Sequence, residues 1–281
     1  MNRLHSLLAV MVLGLCSSGL ATVPRWKQLP TPAPMPRATA SGYARLNGIQ
    51  LYYAVYGHGQ PVVLLHGGLG NSDYWGNQVS ALARHAAVVV IDSRGHGRST
   101  RNAQPYSYEL MSSDVLGVMD QLRIRRARLI GWSDGGIVGL VLAIHHPERL
   151  SGVFAFGANS DPSGANPDVG HNATFNTYIA RTESDYRRLS KTPGDFNGFL
   201  TAISTMWANE PHITGQLKTI RVPVTIADGQ YDEAILRQHT VMMSKAIPGA
   251  RLVILPGVSH FAMLQNPQEF NLALETFLNQ K

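Results

Sequence analysis

Residues 128–137 read RLIGWSDGGI, and the five residues at their centre match the pattern G-x-S-x-G. A short apolar run precedes the pattern and a helix-like segment follows it. This strand–turn–helix context is typical of a sharp turn that presents a serine at the end of a buried strand. The two glycines fit on steric grounds, because side chains at Gly131 and Gly135 would collide across such a turn. The pattern therefore predicts Ser133 as a nucleophile.

Short apolar runs and longer amphipathic segments alternate beyond residue 41. The runs that read as strands are Ile49–Tyr56, Val62–Leu65, Ala87–Ile91, Ala127–Gly131, Gly152–Gly157, Val222–Ala227 and Leu252–Leu255. The segments that read as helices are Tyr74–Arg84, Ser107–Leu122, Asp134–His146, Leu236–Ile247 and Pro267–Leu278. Most of the runs are rich in Val, Ile and Leu, as in strands buried on both faces. The alternation predicts an α/β fold with a mostly parallel central sheet flanked by helices.

One interval interrupts this alternation. From about residue 159 to 216 no strand pattern occurs, while aromatic residues and helix-capable segments do. Ligands of open α/β sheets bind outside the carboxyl ends of the strands. We therefore expect this interval to form a helical cap over the site, inserted into one α/β domain that spans 41–281.

A serine hydroxyl needs a base to remove its proton, and the base needs a carboxylate to orient it. His260 is the predicted base, because it follows the apolar run that ends at Leu255. Asp232 is the predicted acid and Asp228 the rival, since both follow the preceding apolar run. The position of Asp232 within the loop favours it, and the order Ser, Asp, His along the chain is kept.

The sequence also predicts an oxyanion hole formed by backbone N–H groups near Ser133. The loop His66-Gly-Gly68 follows an apolar run, and its N–H groups can point towards a developing oxyanion. We assign the two donors to the N–H of Gly68 and the N–H of Asp134. His66 itself is expected to be structural, hydrogen-bonding within its own loop.

The chain resembles the α/β-hydrolase fold superfamily. The resemblance is carried by HGG (66–68), DSRGHGRS (92–99), GWSDGG (131–136), the loop 229–232 and GVSHF (257–261). These motifs span nearly the whole length from residue 41 to 281. The resemblance implies a serine hydrolase with a Ser-Asp-His triad and no cofactor.

Within that superfamily, GWSDGGI is similar to the valacyclovir-hydrolase, or biphenyl-hydrolase-like, branch. In that branch the Asp after the nucleophile is associated with the amino group of α-amino-acid esters. The resemblance implies that Asp134 contacts a cationic substrate group, whereas a carboxylate at a helix N-terminus is the alternative. Trp132 and Trp207 are further predicted substrate contacts, although the cap aromatics could also pack only against one another.

The N-terminus reads as an export signal followed by a spacer. Residues 1–21 combine Arg3, a nine-residue apolar run and small residues at Gly19 and Ala21, as in a signal peptide. The run is too short to span a bilayer as a helix. Residues 22–40 hold five prolines and predict an extended, poorly ordered spacer. Whether Cys16 carries a lipid is left open.

The composition of the chain excludes several classes of protein and kinds of binding site. Of 281 residues, 44% are hydrophobic and 15% charged, which excludes global disorder. The net charge of +6 is spread along the chain and does not suggest nucleic-acid binding. The single cysteine excludes a disulfide framework, and the eleven histidines show no metal-ligand spacing. We expect no metal, no cofactor and no membrane span, and the oligomeric state is open.

The predicted function is an exported, periplasmic or secreted serine hydrolase that cleaves a small-molecule carboxylic ester through an acyl-enzyme. Three alternatives remain open from the sequence. A lactonase would use the same residues on a cyclic ester, and a hydrolase of carbon–carbon bonds would use the same triad. A ligand receptor without turnover would keep the fold, although the intact triad counts against it.

Overall fold

A mostly parallel sheet forms the centre of residues 23–280, the part of the chain that the computed structural model describes. Its strands are β1 (Ala40–Leu46), β2 (Ile49–Tyr56), β3 (Gln60–Leu65), β4 (Ala86–Ile91), β5 (Ala127–Trp132), β6 (Leu150–Phe156), β7 (Val224–Gly229) and β8 (Arg251–Leu255). They lie in the order β1-β2-β4-β3-β5-β6-β7-β8. The β1–β2 and β2–β4 pairings are antiparallel, and the other pairings are parallel.

Helices cover both faces of this sheet. They are α1 (Gly76–Leu82), α2 (Tyr108–Gln121), α3 (Asp134–His145), α4 (Ala173–Leu189), α5 (Phe196–Asn209), α6 (Arg237–Ala246), α7 (Ala262–Gln265) and α8 (Pro267–Leu278). Alternate residues of β3 enter two different cores: Val63 and Leu65 pack with α2, α3 and α6, and Val62 and Leu64 pack with α1 and α8. Burial on both faces explains the continuous apolar strands. The predicted α/β-hydrolase fold is confirmed.

The chain between β6 and β7 is helical and lies over the carboxyl ends of the strands. Within residues 157–223 the structure contains α4, α5 and three short 3-10 helices, and it contains no strand. Phe199, Ile203 and Met206 attach α5 to the apolar core beneath it. This segment includes the interval 159–216, for which the sequence predicts a cap.

Two elements differ from the sequence prediction. The edge strand β1 was not predicted, because it reads ASGYARL and buries only Ala44, so no apolar alternation marks it. Its pairing with β2 stabilises it instead. The predicted helix Tyr74–Arg84 is a 3-10 turn, Ser72–Trp75, followed by the shorter helix α1.

The proline-rich segment also differs from expectation, because it lies against the domain. It forms one 3-10 turn at Arg25–Lys27, and residues 28–39 contain no helix or strand. The guanidinium of Arg181 on α4 donates to the carbonyls of Leu29 and Pro30, each at 2.7 Å. The Trp26 ring stacks on Tyr231 with centroids 4.7 Å apart. Side chains of the domain therefore satisfy carbonyls of a segment that forms no ladder itself. The predicted signal peptide, residues 1–21, and Cys16 lie outside the described residues.

Candidate active site

Ser133 occupies the turn between β5 and α3. Its backbone lies in the left-handed region, with φ 52° and ψ −119°, which is strained for a residue with a side chain. The Ser133 N–H donates to the carbonyl of Phe156 on the neighbouring strand β6, at 2.7 Å. This bond helps to hold the serine in its strained position at the carboxyl end of the sheet.

Glycines make this turn possible. A Cβ on Gly131 would overlap the backbone of Gly135, and a Cβ on Gly135 would overlap the carbonyl of Leu65 on β3. Both contacts involve backbone atoms, which cannot rotate away. The steric reason inferred from the G-x-S-x-G pattern therefore holds in the structure, and α3 packs closely against β3 as a result.

His260 and Asp232 meet in loops that follow β8 and β7. The Nδ1 of His260 lies 2.8 Å from Oδ2 of Asp232, and both side chains are almost fully buried. The other carboxylate oxygen of Asp232 accepts the backbone N–H groups of Ala234 and Ile235, each at 2.8 Å. These bonds fix the carboxylate, so the imidazole is oriented with its Nδ1 proton towards Asp232.

Asp228, the rival acid, takes a different role. Its Oδ1 accepts the N–H of Gly229 at 2.8 Å, and its Oδ2 accepts the hydroxyl of Thr240 at 2.7 Å. Burial raises the pKa of Asp228 well above its ordinary value, with the neighbouring Asp232 acting in the same direction. The structure thus pairs His260 with Asp232 and uses Asp228 to join β7 to α6.

Burial also sets the protonation of the His–Asp pair. It lowers the pKa of His260, while the nearby carboxylates of Glu233, Asp228 and Asp134 oppose that shift. Burial raises the pKa of Asp232 to about 6. At neutral pH the imidazole is therefore neutral and its Nε2 is free to accept a proton.

The loop at Gly68 supplies the first predicted oxyanion donor. The carbonyl of Gly67, which belongs to the same peptide unit as the Gly68 N–H, accepts the N–H of Gly70 at 3.1 Å, and the carbonyl of Gly68 accepts the hydroxyl of Tyr178 from cap helix α4 at 2.7 Å. Within residues 23–280 the Gly68 N–H donates to no protein acceptor. The N–H of Asp134 belongs to the first residue of α3, where no intrahelical acceptor exists. Both N–H groups are therefore left without a protein acceptor in the described part of the chain.

The Asp134 side chain is buried and joins the core to the cap. Its carboxylate accepts the hydroxyl of Tyr108 at 3.0 Å and the indole N–H of Trp207 on α5 at 3.0 Å. Burial raises its pKa to about 6. The two predicted substrate contacts Asp134 and Trp207 thus bind each other in this structure. The pair also lies against Gly68, where a Cβ would be 2.6 Å from Asp134 Oδ2.

Trp132, the third predicted substrate contact, is buried next to the candidate triad. Its ring packs against Tyr74, Tyr178, His260 and Phe261 with centroids 5.5 to 5.9 Å apart. Trp132 and Phe261 therefore both pack against the imidazole of His260. Neither Tyr178 nor Tyr108 was predicted from the sequence, because isolated tyrosines on distant helices carry no local signal.

His66 is held within its own loop. Its Nε2 accepts the N–H of Ser93 at 3.0 Å, and its Nδ1 lies 2.8 Å from the carbonyl of Gly67. The first bond makes Nε2 the acceptor, so Nδ1 carries the proton. Because both ring nitrogens are engaged, His66 braces the loop that carries Gly68.

Within residues 23–280 the acidic and histidine side chains form no group of three that could hold a metal ion. The helices of this region include none with the length and apolar content needed to cross a bilayer.

Known proteins resemble this chain over most of its length. A family model for the alpha/beta hydrolase fold matches residues 60–188. The putative carbamate hydrolase RutD of Caulobacter sp. (strain K31) is 29% identical over 263 residues, which cover 82% of this chain and 96% of that protein. Serine hydrolase BPHL of Mus musculus is 26% identical over 255 residues, covering 86% and 87%. The enol-lactonase structure from Burkholderia xenovorans LB400 superposes with a TM-score of 0.69 at 27% identity, over 85% of this chain and 100% of the other.

These likenesses agree with the observed topology. The family match begins at β3, passes through the turn at Ser133 and ends within α4. The resemblance to the α/β-hydrolase fold, which was drawn from the sequence motifs, is confirmed. The chain has the α/β-hydrolase fold and is similar in sequence to hydrolases of that fold.

Proposed function

We propose that the protein is a serine hydrolase that cleaves a carboxylic ester of a small molecule through an acyl-enzyme intermediate. The observation that carries the proposal is the 2.8 Å contact between His260 and Asp232. The His260 ring packs against Trp132, the residue before the strained turn of Ser133, with ring centroids 5.8 Å apart. A nucleophile, a base and an acid on the loops at one end of the sheet are what acyl transfer requires.

In the proposed reaction, Ser133 Oγ attacks the substrate carbonyl carbon while His260 Nε2 removes the hydroxyl proton. Asp232 stabilises the resulting imidazolium through the bond to Nδ1. The N–H groups of Gly68 and Asp134 bind the oxyanion. His260 then protonates the leaving alcohol, and the acyl group remains on Ser133. A water molecule activated by His260 hydrolyses the acyl-enzyme and restores the serine.

Lactone hydrolysis is the second candidate. The similarity to an enol-lactonase of known structure favours it, because that likeness extends over 85% of this chain. The chemistry at Ser133 would be the same, with the leaving alcohol still attached to the acyl group. The similarity to a putative carbamate hydrolase adds carbamates to the substrates worth testing.

Export is part of the proposal. Its support is the pattern of residues 1–21, a basic start, an apolar run and a small-residue cleavage site. A secretion assay tests it: the processed chain is expected outside the cytoplasm, starting after Ala21, and retention of the full-length chain in the cytoplasm would contradict it.

The catalytic proposal is tested with purified protein and a panel of p-nitrophenyl esters, lactones, carbamates and amino-acid esters. We expect ester turnover that disappears in Ser133→Ala. Turnover that survives in this variant would refute the proposal. An advantage for amino-acid esters that is lost in Asp134→Asn would support the predicted contact with a cationic group, and equal rates on neutral esters would refute that contact.

A further inference from the structure

Glu233 holds the backbone of His260. It directly follows Asp232, and its side chain is buried under the loop after β8. Its Oε2 accepts the backbone N–H of His260 at 3.1 Å, and its Oε1 accepts the hydroxyl of Ser259 at 3.3 Å. Two consecutive acidic residues therefore bind different parts of His260: Asp232 binds the imidazole ring, and Glu233 binds the backbone N–H.

Gln265 completes this network from α7. Its Oε1 accepts the Ser259 N–H at 2.7 Å, and its Nε2 donates to the Ser259 hydroxyl at 2.9 Å. The same Nε2 donates to the carbonyl of Gln28 at 2.8 Å. The hydroxyl of Ser259 thus accepts from Gln265 and donates to Glu233. Glu233 therefore accepts both the hydroxyl of Ser259 and the backbone N–H of His260.

The charges around His260 are all acidic. Asp228 lies near the imidazole at the end of β7, Asp232 and Glu233 in the loop that follows, and Asp134 at the start of α3. Within residues 23–280, Glu233 forms no ion pair with a basic side chain. Its charge is therefore not cancelled locally, and it favours the protonated form of the imidazole.

We propose that Glu233 is a positioning residue for His260: it anchors the main chain of the base and stabilises the imidazolium that forms when Ser133 loses its proton. The inference rests on the proposed function, because it assumes that His260 is the base. A buried carboxylate with two loop donors and no cation is costly in a merely structural role, since a neutral acceptor would satisfy the same donors.

Glu233→Gln separates charge from anchoring. The amide oxygen can accept the N–H of His260, so the main-chain anchor survives without the charge, whereas the Ser259 hydroxyl then faces the amide nitrogen and loses its acceptor. We expect the acid limb of the kcat/KM profile to move to lower pH by about one unit, and kcat to fall about tenfold with little change in KM. Glu233→Asp keeps the charge and is expected to return the acid limb to the wild-type position.

The matched control is Glu148→Gln. Glu148 is exposed and lies in the turn just before β6, at the end of that strand opposite to its carboxyl end. This variant makes the same change in net charge and is expected to leave the profile unaltered. Ser133→Ala in the same assay tests the proposed function separately, because turnover in that variant would refute the nucleophile whatever Glu233 does. If Ser133→Ala is inactive and Glu233→Gln shows the wild-type limb and kcat, only the inference about Glu233 is overturned.

Ser259→Ala keeps the inference testable should Glu233→Gln fail to fold. This variant removes one of the two donors that steer the carboxylate and leaves its charge in place. We expect kcat to fall about fivefold with an unchanged KM and acid limb. An unchanged kcat in a folded Ser259→Ala protein would refute the anchoring role.

Discussion

Asp134→Asn tests the buried link between the core and the cap. The carboxyl of Asp134 is 3% exposed, and burial raises its pKa to about 6 from an ordinary value of 3.8. Between about pH 4 and 6 the folded protein therefore retains a proton that the unfolded chain has released. Stability from this group is fully present below about pH 3.8 and is lost as the pH rises through about 6.

The size of the effect follows from the pKa difference. A shift of about two pKa units corresponds to about 3 kcal/mol of unfolding free energy. Because Asn does not titrate, we expect the stability of Asp134→Asn relative to wild type to rise by about 3 kcal/mol between pH 4 and 7. Weaker bonds from Tyr108 and Trp207 to the amide add an offset that does not depend on pH.

Urea unfolding followed by circular dichroism, repeated from pH 4 to 7, measures this difference. Asp168→Asn serves as the matched control, because it makes the same change at an exposed position. A difference between Asp134→Asn and wild type that stays constant with pH would refute the claim that the Asp134 carboxyl is buried and titrates near neutrality.

Three further predictions concern the candidate site and the N-terminal segment. Gly68→Ala is expected to lower kcat at least about 100-fold, because a Cβ would overlap the indole of Trp207 and displace the oxyanion donor; a wild-type kcat would contradict that assignment. Asp232→Asn is expected to lower kcat about 10⁴-fold, and Asp228→Asn to stay within about tenfold of wild type; steady-state kinetics that show the reverse would reassign the acid. Arg181→Ala is expected to lower the Tm by about 4 °C, because two bonds to the N-terminal segment are lost; calorimetry with no change would show that this docking adds no stability.

Local sequence patterns were sufficient to predict the fold elements that carry the candidate site. The turn at Ser133 brings Gly131 against the backbone of Gly135, a contact between residues close in sequence, so a local pattern predicts it. The sheet follows from apolar runs long enough to fill both of its faces. The order of Asp232 and His260 after their strands follows from the same alternation, because parallel strands end at one edge of the sheet.

Contacts between distant segments were not predictable in this way. The carboxylate of Asp134 accepts a hydrogen bond from Trp207 on α5, 73 positions further along the chain. No local sequence pattern predicts such a pairing. The docking of the proline-rich segment depends on Arg181 and Tyr231, which only the folded chain brings near it. The edge strand β1 is polar because its outer side is exposed, so pairing with β2 defines it.

Mass spectrometry of a trapped adduct tests the central claim, that Ser133 is the nucleophile activated by His260, most directly. The folded protein is incubated with a fluorophosphonate probe, digested and mapped. The predicted result is one adduct on the peptide carrying Ser133, absent in Ser133→Ala and strongly slowed in His260→Ala. A probe that labels another residue, or labels Ser133→Ala equally well, would contradict the account.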